Sequence, residues 1–145
     1  MARRYTAMTR GQRIGNAVVA LLVRIGLGPK DTYLLTVPGR RTGKPYTTPV
    51  TLVQTGEGRW LVAPYGAVSW VRNARAAGRV TLRRGNRTEE AAVTEVDARA
   101  AAPVLQRYLA AIRIVRPYFD VTPDSPVEDF VAEAPRHPVF SLAVR

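Results

Sequence analysis

The sequence predicts a mainly β domain of the α+β class, in which an antiparallel sheet or barrel is covered by helices. Strand-like segments follow one another in quick succession between residues 32 and 96, with one short helix inserted among them. Longer helical stretches stand before and after this region. The chain has 145 residues, 46% of them hydrophobic, which is enough for one ordinary folded core. We find no internal repeat and no interdomain linker.

A basic segment with an amphipathic helix is predicted over residues 1–30, ahead of a barrel domain at 31–145. Thr9-Arg10-Gly11-Gln12 has the spacing of a capping box, which predicts that the helix starts at Thr9. The apolar run that follows is too short to span a bilayer. We expect the apolar face to pack on the domain, and the alternative is an interfacial helix lying on anionic lipid. That face is formed by Ile14, Ala17, Val18, Leu21, Leu22 and Ile25.

The barrel region is predicted from β-type runs separated by turn residues. Gly85-Asn86 is typical of a two-residue hairpin turn. The Ala-rich segment Val68–Ala77 predicts the inserted helix, closed by Gly78. The predicted strands are Thr32–Val37, Thr47–Gln54, Trp60–Ala63, Val80–Arg84 and Arg87–Val96.

The C-terminal part predicts two helices and a closing strand. Asp97 is the expected N-cap of the first, whose first turn should be irregular because Pro103 lies several residues inside. The apolar stripe of this helix runs from Ala101 to Ile112, and Pro117 is expected to stop the helix. Ser125-Pro126-Val127-Glu128 predicts the second helix, with Ser125 as its cap and Pro126 at the first helical position. Residues 138–144 should form the last strand.

The charge of the chain is strongly positive and unevenly placed. The formal net charge is +11, and all basic residues except Lys30 and Lys44 are arginines. Residues 37–90 carry ten basic groups against Glu57, Glu89 and Glu90. A polyanionic cofactor, an anionic membrane surface or nucleic acid could each answer this surplus. No recognised nucleic-acid-binding motif accompanies it, so we expect no specific nucleic acid partner.

Composition also limits the chemistry that the side chains can perform. The chain has no Cys and one His, so we expect no metal site and can assemble no catalytic triad. His137 stands between two prolines in Pro135-Arg136-His137-Pro138, which favours a turn residue over a catalytic base. Any reaction would therefore have to be carried by a bound cofactor.

Two stretches could hold such a cofactor. The turn Pro38–Pro45 places three cations between glycines and prolines, which suits an anion site. The alternative is a solvated hairpin loop. The second stretch runs from the strand end at Val62–Gly66 into the helix start at Ser69–Arg75, where Trp70 and Asn73 share a face. Its alternative is a core Trp70, a capping Ser69 and solvated arginines.

Three blocks of sequence resemble the deazaflavin-dependent nitroreductase family of actinobacteria. They are PGRRTGKPYTTPV at residues 38–50, LVAPYG at 61–66 and SWVRNARAAG at 69–78, in the order and spacing of that family. The resemblance implies a split β-barrel of the flavin-mononucleotide-binding type. It also implies a site for reduced coenzyme F420, whose phosphodiester and oligoglutamate tail would answer the arginine surplus.

The resemblance also implies roles for individual residues. Tyr118 in the C-terminal segment is the nearest match to a tyrosine that family members place over the substrate, and it would be the proton donor. Two positions depart from the family pattern, because Tyr46 stands where an Arg is frequent and Pro64-Tyr65-Gly66 replaces a Ser/Lys-bearing loop. The residues expected to bind the cofactor are Arg41, Thr42, Gly43, Lys44, Tyr46, Pro49, Val50, Thr51, Ala63, Pro64, Tyr65, Gly66, Trp70, Arg72, Asn73 and Arg75.

The implied reaction is hydride transfer from reduced F420 to an electron-poor small molecule, such as a quinone, a nitroaromatic or an activated alkene. Two alternatives stay open: a non-catalytic deazaflavin- or lipid-binding protein of the same fold, and a basic nucleic-acid-binding domain. We expect a cytoplasmic protein, with the N-terminal helix as a candidate for peripheral contact with the inner face of the membrane. The sequence leaves monomer and homodimer open.

Overall fold

The structure is a computed structural model that describes residues 10–24, 26 and 30–144. The predicted start of the first helix at Thr9 lies outside these residues, as do the side chains of Gln12 and Ile14. The helices are α1 (Arg10–Arg24), α2 (Ser69–Ala77), α3 (Ala98–Ala111) and α4 (Val127–Glu133), with 3-10 turns at Arg113–Tyr118 and Ala134–Arg136. The strands are β1 (Thr32–Pro38), β2 (Pro45–Thr55), β3 (Gly58–Val62), β4 (Arg79–Arg84), β5 (Arg87–Glu95) and β6 (Val139–Val144).

The six strands form a closed barrel in the order β1-β2-β3-β6-β5-β4. Every neighbouring pair is antiparallel, and β4 closes the barrel against β1 with Leu35 opposite Leu82. Gly85 and Asn86 join β4 to β5 as predicted, with Arg84 opposite Arg87. The predicted antiparallel barrel with helical cover is therefore confirmed.

Two apolar clusters hold the barrel and its helices together. Consecutive strand residues point to opposite faces, so Leu61 and Phe140 belong to one cluster whereas Val62 and Val139 belong to the other. The first cluster takes residues from all six strands and from α2, and it fills the barrel interior. The second lies outside the sheet, where α3 covers β2, β3 and β6 and α4 packs against α3. Burial on both faces makes the β3–β6 side the most enclosed part of the sheet.

Helix α1 packs on the barrel, but through a different face from the one that the sequence predicts. Val23 is fully buried, and its carbonyl oxygen accepts a hydrogen bond of 2.9 Å from the Gly85 amide. Val18 and Leu21, which belong to the predicted packing face, are 53% and 60% exposed. Among the side chains of α1 that the structure describes, those at least partly buried are Asn16, Val19, Ala20, Leu22 and Val23, so the packing face is rotated and shares only Leu22 with the predicted one. Among the described residues no helix is long and apolar enough to cross a membrane.

Helix ends follow the sequence in part. Asp97 caps α3 as predicted, since its carboxylate accepts from the Ala100 amide at 2.8 Å. The first turn of α3 is nevertheless regular, although Pro103 lies inside the helix. The Ala101 amide still donates to the main-chain carbonyl oxygen of Asp97. The predicted Ser125 cap is wrong. Pro126 is the N-cap of α4, and the Ser125 hydroxyl accepts instead from the Thr122 amide at 2.9 Å.

Two further boundaries differ from the prediction. Helix α3 ends at Ala111, and a 3-10 turn contains Pro117, so the helix stops before the proline that was expected to end it. The side chain of Arg116 folds back to donate to the carbonyl oxygens of Leu109 and Ala110, at 3.0 Å each. These bonds satisfy acceptors that a helix C-terminus leaves unpaired. Helix α2 has Val68 as its N-cap with no side-chain cap bond, so Ser69 is not its cap.

Candidate active site

The turn at residues 39–44, between β1 and β2, is a tight and cationic loop. The Gly39 amide donates to the Lys44 carbonyl at 2.8 Å, and the Gly43 amide donates to the Gly39 carbonyl at 2.9 Å. Gly43 has a φ of 77°, a conformation that favours glycine. The Gly43 amide, expected to face a phosphate, is thus used inside the turn. Together these two hydrogen bonds close the turn through its own main chain.

Helix α2 holds this turn in place through Asn73. The Asn73 side chain is buried, and its Oδ1 accepts from the Arg40 amide at 3.1 Å and from Arg40 Nη1 at 2.8 Å. Sequence reasoning placed Asn73 in the pocket and did not single out Arg40, because nothing in the Arg40-Arg41 pair distinguishes one arginine from the other. The geometry assigns Arg40 to positioning the loop.

Three cations around the turn have no carboxylate partner among the described residues. Arg41, Lys44 and Arg72 are exposed, and no ion pair engages them. Arg75 differs, because its Nε and Nη2 bind the two carboxylate oxygens of Glu95 at 2.7 and 2.8 Å. This hydrogen bonding raises the pKa of Arg75. Arg75 would have to leave Glu95 in order to bind a ligand.

The first half of β2 forms an open edge beside the turn. β3 pairs only with Leu52–Thr55, so within the described part of the chain residues 45–51 have a strand partner, β1, on one side only. The Leu52 amide donates to Asp31 on the β1 side, at 2.9 Å. Because main-chain groups of successive strand residues alternate in direction, the odd-numbered residues present theirs to the open edge. These groups include the Pro49 carbonyl and the Thr51 amide.

The loop after β3 packs closely against the start of β6. Ala63 is buried, and its amide donates to the Pro138 carbonyl at 2.8 Å. Gly66 has a φ of 90° and donates to the Ala63 carbonyl at 3.3 Å. Between them, Tyr65 turns its ring edge-on to Tyr118, with ring centroids 4.8 Å apart and an interplanar angle of 76°. The structure thus brings together the predicted proton donor and a predicted cofactor-loop residue from distant parts of the sequence.

Trp70 and Tyr46 occupy different environments. Trp70 is half-buried and packs against the barrel cluster, with its ring 6.2 Å from that of Phe140. Tyr46 is 54% exposed at the start of β2, and its ring lies against Gly39, where an added Cβ would come within 2.8 Å of it. Glycine at position 39 therefore lets the turn close onto the Tyr46 ring.

A buried polar network that the sequence analysis missed lies directly behind the two tyrosines. His137 lies in the bend that follows the second 3-10 turn, and its side chain is 3% exposed, which the sequence analysis did not predict. Its Nδ1 lies 2.8 Å from the Pro64 carbonyl oxygen, and its Nε2 lies 2.7 Å from Glu133 Oε2. Burial lowers the pKa of His137, and its hydrogen bonds to Glu133 and Pro64 oppose that shift. The i, i+4 spacing of Glu133 and His137 is the signal that could have revealed the pair.

The structural comparisons agree on the fold. A chain described as a domain-swapped dimer superposes with a TM-score of 0.60 at 18% identity, covering 92% of this chain and 96% of that one. An F420-H2 dependent reductase gives 0.54 at 19% identity, with 79% and 95% covered. A FAD-binding protein from Mesorhizobium loti gives 0.51 at 11% identity, with 89% of each chain covered. A search of curated protein sequences finds no match. The fold is therefore the flavin-binding type of split barrel.

The family is identified by sequence. The model of the F420H(2)-dependent quinone reductase family matches residues 3–123, and this chain belongs to that family. The protein is thus an enzyme that uses reduced F420 as its cofactor, which confirms the cofactor and the class of reaction implied by the three sequence blocks.

Proposed function

We propose that this F420H2-dependent reductase passes its reducing equivalents to a quinone, at a site between the open edge of β2 and the Tyr65–Tyr118 pair. The name of the family supports the choice of a quinone among the electron-poor acceptors. The observation that carries the location is the continuity of the cationic turn with residues 45–51 of β2. Within the described part of the chain, these residues have a strand partner, β1, on one side only.

The residues at this site fit the cofactor by the chemistry of their donors. F420 has a flat ring joined to a polyanionic tail, and exposed guanidinium and ammonium groups are suited to such a tail. Arg41 and Lys44, with Arg72 on α2, would hold the tail and phosphodiester. Arg75, Thr42 and Gly43 are secondary candidates, since Arg75 is paired with Glu95 and the Gly43 amide closes the turn.

The ring would lie against main-chain groups and aromatic side chains. Pro49, Val50 and Thr51 of β2 are half-buried and belong to the part of β2 that, among the described residues, pairs with β1 alone. Main-chain groups are suited to hydrogen bonds with a heterocycle because their positions are fixed by the sheet. The further residues proposed to border the ring are Tyr46, Ala63, Pro64, Tyr65, Gly66 and Trp70, with Asn73 holding the turn.

When bound, the reduced deazaflavin supplies the hydride, so the chain has to supply orientation, exclusion of water and a proton. Tyr118 is proposed as the proton donor because a phenolic O–H is a donor and its ring stands against Tyr65. Tyr65, 37% exposed, would present an apolar and aromatic surface to the acceptor.

Two measurements test this function on the full-length protein. Fluorescence titration with F420, with flavin mononucleotide as competitor, should show preference for F420. F420H2 oxidation should then be faster with menadione than with a nitroaromatic or an activated alkene. Reduction of the nitroaromatic alone would change the proposed acceptor from a quinone to a nitroaromatic compound. F420 binding without reduction of any acceptor would favour a non-catalytic binding protein.

We also propose that the exposed face of α1 lies on an anionic membrane surface, where a lipid-soluble quinone would be reached. Val18 and Leu21 are exposed on this helix, and the sequence places Arg10, Arg13 and Arg24 around them. An amphipathic helix with an apolar face and basic edges suits such a surface. Co-sedimentation with anionic vesicles tests this location, and size-exclusion chromatography tests self-association through the same face.

A further inference from the structure

The buried network around His137 touches the main chain next to both tyrosines. On one side, His137 Nδ1 bonds to the carbonyl oxygen of Pro64, the residue before Tyr65. On the other side, the His137 ring stacks on Phe119, the residue after Tyr118, at 3.7 Å between centroids and 12° between planes. One imidazole ring therefore touches the chain neighbours of both tyrosines.

Glu133 extends this contact to the next residue along. Its Oε2 accepts from the Asp120 amide at 3.3 Å and lies 2.7 Å from His137 Nε2. Arg136 Nη2 binds Glu133 at 2.7 and 2.8 Å, and it binds the Asp120 carboxylate at 2.7 Å. Among the described residues no buried side-chain nitrogen or oxygen is left without a partner. The network is thus fully hydrogen-bonded.

The chemistry of the partners fixes the direction of one of these bonds. A carbonyl oxygen only accepts, so His137 Nδ1 carries a proton and donates it to Pro64. The short distance between Nε2 and the Glu133 oxygen requires one further proton between these two atoms, because two facing lone pairs would repel. Both ring nitrogens are therefore committed to hydrogen bonds and cannot exchange protons with a ligand without breaking one.

We propose that the His137–Glu133 pair is a positioning device that fixes Tyr65 against Tyr118 at the acceptor side of the site. The pair does not reach the reacting atoms itself. It holds Tyr65 through the bond from His137 Nδ1 to the Pro64 carbonyl oxygen, and it contacts the Tyr118 segment at Phe119 and Asp120. This inference rests on the proposed function, in which the two tyrosines border the acceptor.

Two substitutions at one position separate the two hydrogen bonds. The amide nitrogen of Asn reaches the place of imidazole Nδ1, whereas that of Gln reaches the place of Nε2. His137→Asn should therefore keep the bond to Pro64, and His137→Gln should keep the bond to Glu133. We expect His137→Gln to lower kcat/KM for menadione by roughly tenfold, the effect of a small misplacement of a substrate-bordering group. His137→Asn should lower it far less, and any loss of F420 affinity should follow the same order, because the loop also borders the proposed ring site.

A second readout needs no cofactor and no turnover. The amides of Gly66 and Val68 are hydrogen-bonded within the loop, so hydrogen exchange of the peptide that covers residues 63–68 reports whether the loop stays closed. Exchange should rise roughly tenfold in His137→Gln and stay near the wild-type rate in His137→Asn. Val104→Ala, a change at another buried residue of the same outer cluster, serves as the control for a general loss of stability.

The outcomes are distinguishable. Equal losses in kcat/KM and equal exchange in the Asn and Gln variants would overturn the positioning role. The role would also be overturned if Val104→Ala, at the same drop in melting temperature, lost as much kcat/KM as His137→Gln. If the wild-type protein binds F420 but reduces no acceptor, the proposed function fails, and the exchange comparison alone then decides whether His137 holds the loop.

Discussion

A single oxygen, Oδ1 of Asn73, accepts hydrogen bonds from both the main-chain amide and the guanidinium of Arg40. Helix α2 and the cationic turn are thereby joined at one buried atom, although 33 positions separate the two residues in sequence. The guanidinium of Arg40 is thereby held at α2, and its neighbour Arg41 is exposed in the turn. The turn is therefore fixed by its helix before it meets an anion.

Replacement of Asn73 tests this arrangement. Asn73→Ala leaves the Arg40 groups without their acceptor, which should cost about 1–3 kcal/mol in the free energy of unfolding. F420 binding should weaken by roughly tenfold because the turn is no longer held. Asn73→Asp keeps an oxygen acceptor at the same position and is the matched control. Equal loss of F420 affinity in both variants, measured by fluorescence titration, would contradict a role based on accepting hydrogen bonds.

Arg41→Ala should weaken F420 binding by about 1.5–3 kcal/mol, the scale of a hydrogen bond to a charged group. The melting temperature should not change, since the side chain is exposed and contributes little to the core. Binding by the wild-type protein should also weaken as salt is added. Arg75→Ala is the comparison, because that guanidinium is already bound to Glu95.

The comparison between the two arginines decides where the anion binds. A larger loss of affinity in Arg75→Ala than in Arg41→Ala would move the anion site from the turn to α2, and Arg72→Ala would then be the next variant to measure.

Tyr118→Phe removes one hydroxyl and keeps the ring that packs edge-on against Tyr65. If Tyr118 donates the proton, kcat should fall by roughly tenfold or more while F420 affinity stays constant. Tyr65→Phe is the matched change at the other ring of the pair. A fall in kcat for Tyr65→Phe alone would assign the proton to Tyr65, and no fall in either variant would assign it to solvent.

Substitutions on opposite faces of α1 should have opposite effects. Val23→Ala removes two buried methyl groups and should cost about 1–3 kcal/mol in unfolding free energy. Leu21→Glu, at an exposed position, should change it by no more than about 0.5 kcal/mol. The same Leu21→Glu variant should lose binding to anionic vesicles in a co-sedimentation assay. If vesicle binding survives this change, the proposed contact between the exposed face of α1 and lipid is contradicted.

The barrel was predictable from the sequence because its signals are local. Gly85-Asn86 determines a hairpin turn, and alternating apolar residues mark the strands on either side. The Asp97 cap was likewise readable from the residue type and its spacing. Such features depend on neighbours within a few positions, and the structure confirms them.

Features that depend on distant partners were not predictable in the same way. The predicted packing face of α1 was wrong in part, because a helix with apolar residues on two faces can dock through either. In the structure, Val23 contacts the turn between β4 and β5. The Ser125 cap failed because Thr122 offered the hydroxyl a competing amide. The hydrogen bond of His137 to Pro64 was not predictable, because the two residues are 73 positions apart in the sequence.

Among the residues that the structure describes, positions 45–51 have no strand partner opposite β1, and this affects the protein even without its cofactor. A bare strand edge is a template for pairing with another chain, and proteins commonly protect such edges. Pro45 and Pro49 provide part of that protection here, because neither has an N–H to offer to an incoming strand. Thr47 and Thr51 keep theirs. A deazaflavin ring bound along this edge would block pairing with another chain. The purified protein should therefore aggregate more slowly on storage when F420 is present.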